Sequence, residues 1–253
     1  MKENIVKAKL LKGQPALGAF VNIPSPVAVE VLGILGLDFA ILDAEHTSMS
    51  PETVEHLCRA AESSGIVPIS RIGLNTQQEI LKHLDAGSQG IQIPLVNTKA
   101  EAQQVVQAAK YPPIGGRGLA GVRAASYGLA GSLGDHVAMS NTETLVVVQA
   151  ETKQGAENLD EILLVEGIDV VFMGPTDISS ALGLPGQTRH PDVLALVDAL
   201  GQKVRQAGKI AGTLAPQSED YLYWLDRGFL YICASATRLL ADGVKAYLQK
   251  VSK

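Results

Sequence analysis

Short, almost wholly apolar runs recur along this chain and alternate with longer segments that carry helix-capping signals. The runs are 16–23 (ALGAFVNI), 38–45 (DFAILDAE), 67–72 (VPISRI), 90–96 (GIQIPLV), 145–151 (LVVVQAE), 169–174 (DVVFMG), 210–215 (IAGTLA) and 229–235 (FLYICAS). Strands this apolar on both faces belong to parallel sheets covered by helices. The segments between them start and stop as helices do. Ser50-Pro51-Glu52 offers an N-cap, a proline at the first helical position and an acid near the positive helix end. Thr98 and Glu101 have the spacing of a capping box, and Asn75 with Gln78 is a weaker version. Gly65, Gly87, Gly167, Gly208 and Gly228 each stand just before a run, where a glycine ends a helix.

Eight such alternations predict a single (β/α)8 TIM barrel spanning residues 1–253, with no linker to divide it. An open doubly wound sheet would usually carry a glycine-rich turn after its first strand. Here the first run leads into Asn22-Ile23-Pro24-Ser25-Pro26 instead. Residues 111–130 (YPPIGGRGLAGVRAASYGLA) break the rhythm, and a long loop inside a compact domain is usually functional.

Composition narrows the classes. At 46% hydrophobic the chain can bury a large core, and a net charge of −5 with no basic run speaks against nucleic-acid binding. No apolar run is long enough to span a bilayer, and the polar start Met1-Lys2-Glu3-Asn4 does not read as a signal peptide. Cys58 and Cys233 both lie in apolar contexts and read as small core residues of a cytoplasmic protein, not as a disulfide.

In a barrel of this kind, polar residues at the C-terminal strand ends form the active site. Those ends supply Asp43, Glu45 and His46 after the second run, Arg71 after the third, Gln149 and Glu151 after the fifth, and Asp177 after the sixth. Glu151 and Asp177 come from adjacent strands. Two carboxylates meeting in one pocket repel unless a cation or a shared proton lies between them, and an all-oxygen pair suits Mg²⁺ or Mn²⁺. His46 is the one histidine at such an end, and could serve as a general base, a metal ligand or a surface residue. Arg71 could hold an oxyanion or form a salt bridge with Asp43 or Glu45. The segment Gly174-Pro175-Thr176-Asp177-Ile178-Ser179 offers backbone N–H groups at a helix start, a weak anion site. None of the eight runs contains a lysine, so an imine mechanism has no nucleophile there.

Together LDAEH (42–46), Arg71 in SRI, LDAG (84–87), YPPIGGRG (111–118), VQAET (148–152) and VFMGPTDIS (171–179) resemble the HpcH/HpaI aldolases across almost the whole chain. The resemblance implies a phosphoenolpyruvate/pyruvate-type barrel. It implies a class II aldolase that reversibly cleaves a 4-hydroxy-2-oxo acid to pyruvate and an aldehyde through a pyruvate enolate, using Mg²⁺, Mn²⁺ or Co²⁺. In it Glu151 and Asp177 match metal ligands. His46 matches a base acting through water, Asp85 the carboxylate that orients it, and Arg71 the holder of the enolate oxygen. Gln149 and the backbone at Gly174 and Thr176 match substrate contacts, with Asp43 and Glu45 around the ion's water. It also implies a homohexamer, a trimer of dimers with exchanged C-terminal helices. The rival readings are an oxaloacetate decarboxylase, a short acyl-CoA lyase, and a barrel that binds metal or oxo acid without catalysis.

Overall fold

The computed structural model describes residues 2–251. Among these residues eight parallel strands close into a barrel in chain order. They are β1 (Ala16–Val21), β2 (Phe39–Asp43), β3 (Val67–Arg71), β4 (Gly90–Ile93), β5 (Leu145–Gln149), β6 (Val170–Met173), β7 (Ile210–Leu214) and β8 (Tyr231–Ser235). Each apolar run holds one strand. The strands are shorter than the runs because the last residues, such as Ala44-Glu45 and Ala150-Glu151, turn away into loops at the C-terminal mouth. The ring closes where Ala16 pairs with Tyr231 and Gly18 with Cys233.

The helices are α1 (Ile5–Leu11), α2 (Pro26–Ile34), α3 (Pro51–Ser64), α4 (Gln77–Ala86), α5 (Lys99–Ala109), α6 (Leu133–Glu143), α7 (Lys153–Glu157), α8 (Leu159–Leu163), α9 (Pro175–Ala181), α10 (Pro191–Gln206), α11 (Ser218–Leu225) and α12 (Ala236–Val251). Ser50 caps α3 by accepting from the Thr53 N–H, and Thr98 and Glu101 form the reciprocal box at α5. The cap of α4 is one residue later than expected. Thr76, not Asn75, accepts from the first turn, at the Glu79 N–H, because the Asn75 amide is drawn away to the Glu101 carbonyl. Gly65 and Gly87 end α3 and α4 in the left-handed region, with φ of 75° and 117°.

Side chains fill the barrel. Phe20, Phe39, Ile41, Ile69, Val147, Phe172 and Tyr231 form its inner layer. Gly18 makes room for it, since a Cβ there would lie 2.3 Å from the Phe39 ring. Two further apolar clusters pack the strands against the surrounding helices. Helix α1 shuts the N-terminal end: Val6 and Leu10 join the inner layer, Lys7 Nζ lies 3.0 Å from the Asp169 carboxylate, and the Asn4 amide donates to the Gln89 carbonyl. The irregular segment is pinned to the outside. Residues Arg123–Gly128 form a 3-10 turn with Ser126 and Tyr127 in left-handed backbone, and Arg123 donates to the Ala86 carbonyl and to Glu62. Cys58 and Cys233 are both buried and free, as the sequence implies. Among the described residues no helix is long and apolar enough to cross a membrane.

Candidate active site

With α1 closing one end, the C-terminal mouth is left to hold chemistry. It contains a cavity of about 270 Å³, bordered by Asp43, His46, Arg71, Gln149, Glu151, Gly174, Thr176 and Asp177 together with apolar Phe20, Phe172 and Leu214. Residues expected from four separate strand ends therefore meet in one place. Asn22 and Ser235, from the ends of β1 and β8, also border it. Sequence reasoning passed over both because small polar residues at strand ends are common.

Asp43, the last residue of β2, is buried and organises one side. Its Oδ1 accepts from the backbone N–H of Glu45 and of His46, both at 3.2 Å, which folds the turn back on itself. Arg71 Nε and Nη2 donate to the two Asp43 oxygens at 2.9 and 2.8 Å. Such a bidentate pair fixes the guanidinium in plane. Arg71 Nη1 also lies 3.3 Å from Glu45 Oε2, and the guanidinium carbon sits 4.4 Å from the centre of the Phe20 ring. The salt bridge set against an oxyanion role thus forms. It leaves the guanidinium bordering the cavity with N–H groups to spare.

His46 is 67% exposed at its side chain, and its Nε2 lies 3.5 Å from Glu45 Oε2. Burial raises the Glu45 carboxyl above its ordinary range, with Arg71 and His46 acting against that shift. Asp85 does not join this group within the chain. It lies on the last turn of α4, in the outer helical ring, where its carboxylate accepts from Arg117 Nη2 at 2.7 Å. Within the chain Asp85 and His46 are apart: Asp85, on α4, faces the 111–118 loop, and Glu45 is the acid beside the imidazole.

On the other side Glu151 is 3% exposed, just past β5. It accepts from Gln149 Nε2 at 2.6 Å and from the Leu95 N–H at 3.4 Å. Burial, and then the charge of Asp177, push its pKa up to about 7. Asp177 approaches from the first turn of α9. Gly174 lies between the two acids: a Cβ there would be 2.6 Å from Glu151 Oε2 and 3.3 Å from Asp177 Oδ2. Two carboxylates, Glu151 buried and Asp177 exposed, thus face one small gap beside a residue without a side chain, an acidic cradle suited to a hard cation. Among the described residues no group of three His, Cys, Asp or Glu side chains is placed to hold an ion, and Glu151 and Asp177 are the two acids that could share one here.

Sequence reasoning also missed Gln92 and Tyr231, which hydrogen-bond to one another inside the barrel and reach Gln149. The available signal was a polar residue in the middle of each of two apolar runs, GIQIPLV and FLYICAS.

The sequence profile of the family described as HpcH/HpaI aldolase/citrate lyase matches residues 16–232. The chain belongs to that family. It is 35% identical over 250 residues to the 5-keto-4-deoxy-D-glucarate aldolase of Shigella boydii serotype 18, covering 96% of each chain. Its identity to the protein of the same name from Escherichia coli O139:H28 is also 35%, covering 96% of this chain and 97% of that one. Among solved structures it is similar to an HpcH/HpaI aldolase/citrate lyase family protein of Burkholderia cenocepacia J2315, with a TM-score of 0.93 at 28% identity over 99% of this chain and 100% of that one. It is also similar to the citrate synthase SbnG, with a TM-score of 0.85 at 31% identity over 98% of both chains. Membership of the HpcH/HpaI family and relatives named as aldolases make this protein a carbon–carbon lyase of the aldolase type. The closed parallel barrel is the scaffold on which this HpcH/HpaI protein carries that chemistry.

Proposed function

We infer that the protein is a divalent-metal-dependent aldolase that cleaves a 4-hydroxy-2-oxo acid to pyruvate and an aldehyde, with a 5-keto-4-deoxy-hexarate as the first substrate to try. One observation carries this reading: Glu151 and Asp177 face the same gap beside Gly174, in a cavity that Arg71 also borders. Among the described residues no lysine borders that cavity, which argues against a Schiff base.

Glu151 and Asp177 would hold Mg²⁺, Mn²⁺ or Co²⁺. When bound, the ion supplies a Lewis acid for the oxygens of the 2-oxo acid and for the charge of the enolate. The remaining work falls to side chains. Arg71, held in plane by Asp43, turns its spare N–H groups toward the oxygen on which enolate charge develops. Gln149 and the Thr176 backbone N–H orient the pyruvate half, and bare Gly174 leaves room for it. His46 takes the proton from the distal hydroxyl through water, with Glu45 beside it to favour the imidazolium that forms. Phe20, Phe172 and Leu214 keep that wall of the cavity apolar, which strengthens every charge interaction inside.

We place the protein in the cytoplasm and in a homo-oligomer, a hexamer built as a trimer of dimers. The exposed Leu240, Val244, Tyr247, Leu248 and Val251 of α12 support a partner, because they form an apolar face that the chain itself leaves uncovered. The substrate reading is tested by incubating the Mn²⁺-supplemented protein with 5-keto-4-deoxy-D-glucarate and with oxaloacetate, and following pyruvate. Faster release from the hydroxy-oxo acid is expected. Release from oxaloacetate alone would make the protein a decarboxylase.

A further inference from the structure

A line of hydrogen bonds crosses the barrel interior and ends on Glu151. The Tyr231 hydroxyl donates to Gln92 Oε1 at 3.1 Å. Gln92 Nε2 donates to Gln149 Oε1 at 2.7 Å, and Gln149 Nε2 donates to Glu151 Oε2 at 2.6 Å. Tyr231 and Gln92 are 0% exposed, and neither borders the cavity. Both lie one step behind it, on β8 and β4.

An amide side chain offers a carbonyl at one corner and an NH2 at the other. The two corners are nearly the same shape, so the partners decide which way it lies. The ends of this line settle both amides. Once ionised, the Glu151 carboxylate only accepts, so Gln149 then turns its NH2 to Glu151 and its carbonyl to Gln92. Gln92 must then answer with its own NH2, which leaves its carbonyl for Tyr231. The far end is a firm donor. Burial pushes the Tyr231 phenol well above its ordinary range, so it keeps its proton. Its ring is fixed by stacking on Phe39 at 4.3 Å and by an edge contact with Phe172 at 6.3 Å. In surroundings this apolar an unpaired amide corner is costly, which gives the orientation its force.

We propose that Tyr231 and Gln92 are positioning residues that lock the Gln149 amide, fixing the Glu151 carboxylate for its cation and presenting an N–H, not a carbonyl, to the substrate oxygen. The proposal rests on the reading of Glu151 as a metal ligand. Gln149 Nε2 has two hydrogens, and only one is spent on Glu151, while the side chain borders the cavity. A reversed amide would set its carbonyl against the carboxylate and against any developing oxyanion. Partners one step behind a metal ligand commonly hold such ligands in place.

The test is a calorimetric Mn²⁺ titration of wild type, Tyr231→Phe, Gln92→Leu and the double variant, beside kcat for pyruvate release at saturating Mn²⁺. Tyr231→Phe keeps the ring and its packing, so it reports on the hydroxyl even if Gln92→Leu folds poorly. Each single change is expected to weaken Mn²⁺ binding by about 10- to 100-fold and to lower kcat at saturating metal. The double variant is expected to be little worse than the weaker single, since one lock is lost only once. Wild-type Mn²⁺ affinity and kcat in Tyr231→Phe, or fully additive losses in the double variant, would overturn the lock and leave the metal reading standing. A wild-type protein that binds no Mn²⁺ would overturn both.

Discussion

At the scale of the residue, each acid in the cavity does different work because its surroundings differ. Asp43 is committed to Arg71 and to the turn that carries His46, Glu45 stands beside the imidazole, and Glu151 is buried next to a second carboxylate. Glu151 therefore has a pH signature. A carboxyl raised to about pH 7 holds a proton below that pH, and a cation must displace it. Mn²⁺ affinity measured by calorimetry is expected to fall by up to about tenfold per unit as pH drops below 7, and to level off above it. Equal affinity at pH 6 and pH 8 would contradict that assignment. The same shift has a definite sign in stability. A carboxyl with a raised folded pKa stabilises the metal-free protein at acid pH, and that contribution is lost as pH rises through about 7. His46 gives a cleaner kinetic test because it is exposed and contributes little packing. His46→Ala is expected to lower kcat by about 10²–10⁴-fold while leaving the melting temperature and Mn²⁺ affinity nearly unchanged. If metal affinity falls and excess Mn²⁺ restores the rate, His46 is a ligand and not a base.

At the scale of the element, the junction of β6 and α9 decides whether the two carboxylates can share an ion. Gly174 has φ of −79°, so its backbone would accept alanine without strain. What it lacks room for is the Cβ, 2.6 Å from Glu151 Oε2. Gly174→Ala is expected to weaken Mn²⁺ binding at least about tenfold with little loss of fold, read by calorimetry and circular dichroism. An unaltered affinity would show that Glu151 moves freely enough not to need the gap. The elements themselves were legible to very different degrees. The eight strands were plain in the sequence because strands buried on both faces read as apolar runs, and Gly65 and Gly87 marked helix ends because their backbone turns left-handed. Helix α1 went unread: it is short, and it is held by contacts to Gln89, Thr144 and Asp169, residues far away in the chain. The cap of α4 slipped by one residue because a remote carbonyl, Glu101, competes for Asn75. The cavity's charged residues were legible because strand ends in a parallel barrel converge. The Asp85–Arg117 pair and the Tyr231–Gln92–Gln149 line were not, because each depends on which face of an element meets which neighbour.

At the scale of the molecule, the barrel is a vessel closed at one end. Helix α1 and the Lys7–Asp169 pair pack the N-terminal side, rings and branched side chains fill the middle, and the acidic cradle lies at the opposite, C-terminal mouth. An ion that binds the folded barrel and not the unfolded chain raises its stability by about 2.7 kcal/mol at a hundred times its Kd, so metal loading should be visible as a higher melting temperature. We propose that this cradle holds the cation without which the carbon–carbon bond does not break. The most direct measurement is pyruvate release from a 4-hydroxy-2-oxo acid by protein stripped with EDTA, before and after Mg²⁺, Mn²⁺ or Co²⁺ is returned. Stripping is expected to abolish release, and returning the cation to restore it. Undiminished release by the stripped protein would contradict the proposal.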